Sequence, residues 1–187
     1  LTPWDEKPME FERAAEIGTK KVITDHSTVG IVLTTDGTIC DLSRENYVPA
    51  EKQVVSELKA INKPFVIVLN SATPNDKTTI DLAISLEREY DAPVALINAL
   101  ELENEDFEGI IKLLLGQFGI NELSFNLPSY LSSLEATHPL KQGILQSIKS
   151  SIANISKIDD AQACISKLVD NESISGTPSI NYDLGSG

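Results

Sequence analysis

Apolar positions recur along this chain in two rhythms, continuous runs and helical stripes. One run spans five apolar residues, Phe65 to Leu69, inside Pro-Phe-Val-Ile-Val-Leu-Asn-Ser at 64–71. It is too short for a membrane span and too continuous for a half-exposed strand. With β-branched and aromatic residues dominating, it predicts a strand buried on both faces, as in a parallel sheet covered by helices. Residues 28–34 and 94–98 predict two further strands. Helical stripes separate them. Phe11, Ala14, Ala15, Gly18 and Val22 mark a helix over about 9–24. Val48-Pro49-Ala50-Glu51 opens a second, with proline in its first turn and Val54, Val55, Leu58 and Ile61 on its inner face. A third covers about 77–90. A fourth carries Phe107, Ile110, Ile111, Leu114, Leu115 and Phe118.

From Thr28 to Phe118 the order is therefore strand–helix, three times over. Repeated βαβ units cross over right-handed and imply parallel strands. Three strands are few for such a sheet, which commonly has five or six. The expectation is that further strands lie before Leu1, which is not a methionine.

The rhythm changes after Gly119, and a boundary is placed near 119–121. Leu123 to Leu127 alternates and predicts a half-exposed strand ended by Pro128. Thr137 is read as the cap of a helix with Pro139 in its first turn. Leu140, Ile144, Ile148 and Ile152 form its stripe, and Ala161, Ile165 and Leu168 mark a shorter helix. Residues 1–8 read as an extended entry, and 179–182 as a short strand near the Ser-, Gly- and Asn-rich end.

Charge narrows the functional classes. Acidic residues outnumber basic ones by 28 to 15, a net charge of -13, so no basic surface offers itself to nucleic acid phosphates. Cys40 and Cys164 form neither a CxxC pair nor a zinc spacing, and read as thiols of a reducing compartment. No stretch reaches the ~18 apolar residues of a membrane helix, and no signal peptide is visible.

Candidate chemistry gathers where strands end, since ligands of open α/β sheets bind at the carboxyl edge. Asn70-Ser71 follows the central strand. In GTPases that place carries Asn-Lys-x-Asp, in which the Asn braces a loop and the Asp reads guanine. Here it reads Asn70-Ser71-Ala72-Thr73, without the Lys or the Asp. Asn98-Ala99 ends the next strand, at a position that packs near the base through backbone groups. Thr34 to Thr38 offers Thr and Asp to phosphate or Mg²⁺. The plain alternative for each is a strand-end turn. There is no GxxxxGK[ST] and no GxGxxG, so this chain alone lacks the backbone amides, lysine and metal ligand that phosphoryl transfer needs. His26 and His138 have no catalytic partner pattern and read as structural. The glutamates from 101 to 108 read as a solvated helix start, favoured by the macrodipole.

The chain resembles the stage IV sporulation protein A family of endospore-forming bacteria. The matching stretches are Thr2-Pro3-Trp4, Phe11-Glu12-x-Ala14-Ala15-Glu16-Ile17-Gly18-Thr19 and Lys21-Val22-Ile23. They continue through His26-Ser27-Thr28, Thr34-Thr35-Asp36-Gly37-Thr38, Lys63-Pro64-Phe65, Asn70-Ser71 and Asn126-Leu127-Pro128-Ser129. Tyr130 stands where the family pattern has Trp. The resemblance implies an α/β, P-loop NTPase-like fold of the TRAFAC GTPase type. Residues 1–119 would be the C-terminal half of that ATPase domain, and 120–187 the start of a small α+β middle domain. It implies ATP and Mg²⁺ as cofactors of the intact protein, with neither expected to bind tightly to this piece. Hydrolysis would accompany self-polymerisation into the basement layer of the spore coat, in the mother-cell cytoplasm on the forespore surface. Implied partners are the protein itself, coat proteins and a small amphipathic membrane peptide, stage V sporulation protein M, engaged by a region outside this chain. The Walker A motif, sensor threonines and Walker B aspartate would lie before Leu1, so no catalytic residue carries over. Only Asn70 and Ser71, with Asn98 and Ala99 behind them, keep a nucleotide-binding role on the base side. The alternatives are a non-catalytic structural assembly module and a GTPase-like switch protein.

Overall fold

A computed structural model describes residues 10–153, 155–169 and 179–183. The expected extended entry at 1–8, with the Thr2-Pro3-Trp4 stretch, lies outside them. The chain divides into two compact units, Leu1–Leu114 and Leu115–Gly187.

The first unit is a three-stranded parallel sheet in the order β1 (Gly30–Thr35), β2 (Phe65–Asn70), β3 (Val94–Ile97). β2 is central and enclosed, as its continuous apolar run requires. Phe65, Ile67 and Leu69 point into one core layer with Val55 and Leu58 of α2 (Val48–Ala60) and Ala83 and Leu86 of α3 (Lys77–Tyr90). Val66 and Val68 point the other way, onto Ile110 and Leu114 of α4 (Asn104–Gly116). Burying such a side chain is worth about 1.5–3 kcal/mol before the entropy of ordering it is subtracted. The mixed α/β architecture with parallel strands follows from that pattern. Of α4's apolar stripe, Ile110 and Leu114 turn inward, while Phe107, Ile111 and Leu115 stay exposed.

Two boundaries move. The first helix, α1, spans Phe11–Lys21 and continues as a single π-helical turn, Val22–His26. Polar side chains close that turn: Thr24 Oγ1 donates to the Lys20 carbonyl and Ser27 Oγ to that of Ile23. The Lys63 ammonium also donates to the carbonyls of Ile23 and Ser27, a cation at a helix C-terminal end. The strand expected at 28–34 begins two residues later, at Gly30, whose N–H donates to the Pro64 carbonyl. A Cβ at Gly30 would meet Leu58 at 3.1 Å and Phe65 at 3.3 Å, so the small residue lets α2 close on the sheet.

The regular elements described in the second unit are helices, α5 (Tyr130–Ser133), α6 (Pro139–Ile152) and α7 (Ile158–Val169), joined by irregular segments. The strand expected at 123–127 does not form, nor does one at 179–182. Alternation suits a segment for pairing but supplies no partner. The pairing that does form among the described residues is an isolated antiparallel bridge, Gly119 to Lys157. The expected α+β character therefore reduces to helices and this bridge. Capping of α6 also differs. His138, not Thr137, is the N-cap, and its Nδ1 accepts from the Leu140 N–H at 3.3 Å.

Candidate functional site

Parallel strands with crossover helices bring the loops after β1, β2 and β3 to one sheet edge. Three side chains tie those loops together. Asp36 follows β1 and is satisfied on both oxygens. Its Oδ1 accepts from the Thr38 N–H at 2.9 Å and the Thr38 hydroxyl at 2.6 Å. Its Oδ2 accepts from the Ser71 hydroxyl at 2.6 Å and from Thr79 of α3 at 3.4 Å. Burial alone would raise the Asp36 pKa, but the bonds from Ser71, Thr38 and Thr79 outweigh it and hold the carboxyl below its ordinary value. Gly37 makes the turn possible. Its φ is +93°, and a Cβ there would also meet the Arg44 backbone nitrogen at 3.0 Å.

Ser71 is fully buried, and its Oγ also accepts from the Thr73 N–H at 3.0 Å. Thr38 Oγ1 accepts from the Ala72 N–H at 2.9 Å, a second tie between the first two loops. Asn70 reaches the third loop, where its Oδ1 accepts from the Ala99 N–H at 2.9 Å. Asn98 turns along its own loop. Its Oδ1 accepts from the Leu100 N–H, and its Nδ2 donates to Glu101. The four candidate residues Asn70, Ser71, Asn98 and Ala99 thus share one edge, and two of them bond to each other. The polar atoms named here are engaged within the protein, so they set loop shape. Leu100, by contrast, projects into solvent on the loop that Asn98 and Asn70 brace.

Sequence reading missed a second polar cluster at the β1 exit. Arg44 forks onto Glu51 of α2, with Nη1 and Nη2 at 2.6 Å and 2.7 Å from its two oxygens. The same guanidinium donates to Thr34 Oγ1 at 2.8 Å, and the Tyr90 hydroxyl donates to Glu51 Oε1 at 2.8 Å. Burial pushes the Glu51 pKa up, but the bonds led by Arg44 bring it below the usual range. Burial first, then Glu51, raises the Tyr90 phenol. A bidentate charge-assisted pair of this kind fixes geometry as well as charge. No local spacing links positions 44, 51 and 90. The available signal was a glutamate and an arginine flanking an irregular segment.

The other candidates have local roles or none assigned. His138 caps α6, while His26 lies exposed in the π-helical turn. In the acidic stretch at 101–108, Asp106 accepts from the Glu103 N–H at the start of α4. Neither cysteine forms a disulfide. Among the described residues no cluster of three or more His, Cys, Asp or Glu is arranged to hold a metal, and no helix is long and apolar enough to cross a membrane. The donor set described here therefore does not fit Mg²⁺, because Asp36, the carboxylate that ties the loops, is already taken up by four protein donors.

Comparison with known proteins gives the family. Residues 1–119 match the family model for the stage IV sporulation protein A ATPase domain, and residues 120–187 match that for its middle domain. The curated stage IV sporulation protein A of Clostridioides difficile (strain 630) is 42% identical over 186 residues. Those of Bacillus subtilis (strain 168) and Bacillus anthracis are each 37% identical over the same length. Each alignment covers all of this chain but 38% of the relative. No solved structure matches the chain. The edge built by Asp36, Asn70 and Ser71 lies within the ATPase-domain match, and the two models together account for every residue, so the chain belongs to the stage IV sporulation protein A family.

Proposed function

We propose that these residues form the base-side part of a P-loop NTPase-like ATPase domain, followed by the start of a middle domain, in a sporulation protein that polymerises. The observation that carries this is the braced carboxyl edge: three loops after three parallel strands, tied by Asp36 to Ser71 and by Asn70 to Ala99, in a segment that matches an ATPase-domain model. Parallel α/β sheets bind ligands at that edge. A loop ordered before the ligand arrives costs less entropy on binding. Asn70 and Ser71, with Asn98 and Ala99, act by shaping that wall. The missing Lys and Asp after Asn70 favour adenine over guanine, because no carboxylate stands ready to accept from guanine's ring N–H and amino group.

In the longer protein, ATP and Mg²⁺ would be held by residues outside 1–187, and bound nucleotide would supply the phosphoryl group for hydrolysis. In this reading turnover accompanies self-assembly into the basement layer of the spore coat on the mother-cell side of the forespore. Coat proteins and the amphipathic peptide stage V sporulation protein M would be its partners there.

The test is ATP and GTP hydrolysis with sedimentation of polymer, on residues 1–187 and on a chain of the relatives' length. The reading expects no turnover by residues 1–187 and ATP-selective turnover with pelleting polymer by the longer chain. GTP-selective turnover would mark a switch protein, and polymer without turnover a structural module. Either result overturns the proposal.

A further inference from the structure

The two ends of the sheet are finished differently. At the β1 end, Ile31 and Leu33 are bare on the face where their neighbours Val66 and Val68 are buried. At the β3 end, Val94, Ala95 and Ile97 are buried, and α3 stands beside the rim. Successive peptide groups of a strand point to opposite sides. The Pro93 carbonyl accepts from the Ile67 N–H, so the Val94 N–H points away from β2. Glu87 of α3 accepts from that N–H through Oε1 at 3.3 Å. The bond places the Glu87 face of α3 along the outer edge of β3.

That face has an ordered pattern. α3 buries Thr79, Ala83, Leu86 and Tyr90. Beside them run Lys77, Ile80, Ile84 and Glu87, spaced three, four and three, and all exposed. This is the a–d spacing of a heptad, the seam on which two helices pair. Ile80 and Ile84 are 41% and 39% exposed. A cation stands at one end of the seam and an anion at the other. Both charges oppose the helix macrodipole, with Lys77 in the first turn and Glu87 in the last. Among the described residues neither one forms a salt bridge.

A second copy supplies what one copy lacks. The four positions are symmetric about residue 82. An antiparallel α3 related by a two-fold axis there sets each Lys77 against the other copy's Glu87, and each Ile80 against the other copy's Ile84. Glu87 is already held by the Val94 N–H through one oxygen, which leaves Oε2 for the lysine. Such a contact is isologous: one patch serves both copies. We infer that α3 is a self-recognition surface, pairing antiparallel with α3 of a second copy through Lys77, Ile80, Ile84 and Glu87. An unrelated helix would have to match both charges and the isoleucine spacing, whereas the copy matches them by symmetry. Four side chains a side are few against the roughly 20–30 residues of a standard interface, so the pairing is weak and reversible. The inference stands on this helix face and does not depend on which nucleotide the protein binds, or on whether it binds one.

Sedimentation velocity without nucleotide, on a chain of the relatives' length, tests it through the monomer–dimer step. Lys77→Glu and Glu87→Lys should each weaken dimerisation at least ~10-fold, because each sets like charges together at both ends of the seam. An equimolar mixture of the two variants should dimerise again, to within about 3-fold of the unsubstituted chain, since opposite charges then meet at both ends. Lys77 makes no bond to the described residues, so Lys77→Glu leaves the fold intact. If Glu87→Lys fails to fold for want of the Val94 bond, Ile84→Gln at an exposed position takes its place and should weaken pairing to a similar degree. A chain that stays monomeric at all concentrations overturns the inference. So does a dimer indifferent to Lys77→Glu, or a mixture of the folded charge variants that does not recover. Failure of the ATPase reading would leave all of these results unchanged.

Discussion

The two units are stabilised in different ways. In the first, a fully enclosed strand gathers three helices on its two faces, and an ion pair between half-buried Arg44 and buried Glu51 joins the β1 exit to α2 and, through Tyr90, to α3. In the second, one residue of α6's four-residue stripe, Ile144, is buried, while Leu140 and Ile148 are half-buried and Ile152 is exposed. Short-range polar bonds do more there. Asp160 accepts from the backbone N–H groups of Ser156 and Lys157, reaching back to the residues that begin α7 in the manner of a capping box. Lys157 and Asp159 clasp Gln117 from either side. A pocket of about 500 Å³, lined by Phe118, Ile120, Leu123, Ile158 and Tyr182 together with Asn121, Glu122, Asn181 and Asp183, remains open. Continuous burial makes the first unit depend on a few central groups, whereas the second spreads its stability over many small ones.

The sharpest way to break that contrast is at the ion pair. Glu51→Ala strands the Arg44 guanidinium and should cost about 3–5 kcal/mol in denaturant unfolding of the first unit. Replacing Arg44 and Glu51 together by apolar residues of similar size should recover much of that loss. No recovery would mean that the pair's geometry, and not its charge, sustains the loop. Next come the cores. Ile67→Ala should cost about 3–4 kcal/mol and Ile144→Ala about 2 kcal/mol, because the site between two layers has less freedom to collapse around the cavity. Equal costs would erase the distinction. A smaller effect is expected from Asp160→Ala, about 1 kcal/mol for a lost helix start, confined to the second unit.

Acid should sharpen the same comparison. Glu51 and Asp36 in the first unit, and Asp160 in the second, all have folded pKa values below their ordinary ones. In Asp160, burial again opposes the shift and the Ser156 and Lys157 bonds overcome it. A depressed carboxylate pKa stabilises the fold above the unfolded value, about 3.9 for Asp and 4.3 for Glu, and that contribution disappears as pH falls through the folded value. Stability should therefore drop below about pH 4 in both units, and Glu51→Gln should flatten the drop in the first alone. A flattening in both would mean that the units do not unfold independently.

The architecture of the first unit could be read along the chain because its signals are local and strong. Five apolar residues in a row require cover on two faces, and Pro49 and the alternation of strands with helical stripes leave little choice of topology. The same rules overreached at 123–127, where alternation met no neighbouring strand, and at Thr137, where His138 takes the cap. The edge of the site was legible as a place, through Asn70-Ser71 and Asn98-Ala99 at strand ends. Its wiring was not. That Asn70 would spend its oxygen on Ala99, Asp36 both of its oxygens on loop donors, and Arg44 its fork on Glu51 depends on loops that meet only after the strands have paired. Hydrophobic periodicity is set by neighbours three or four residues away, so the sequence by itself determined the elements and their order. Hydrogen bonds between positions tens of residues apart have no such period. Tertiary structure alone decided which polar groups turn inward as braces, and that β1 would expose the face that β2 buries.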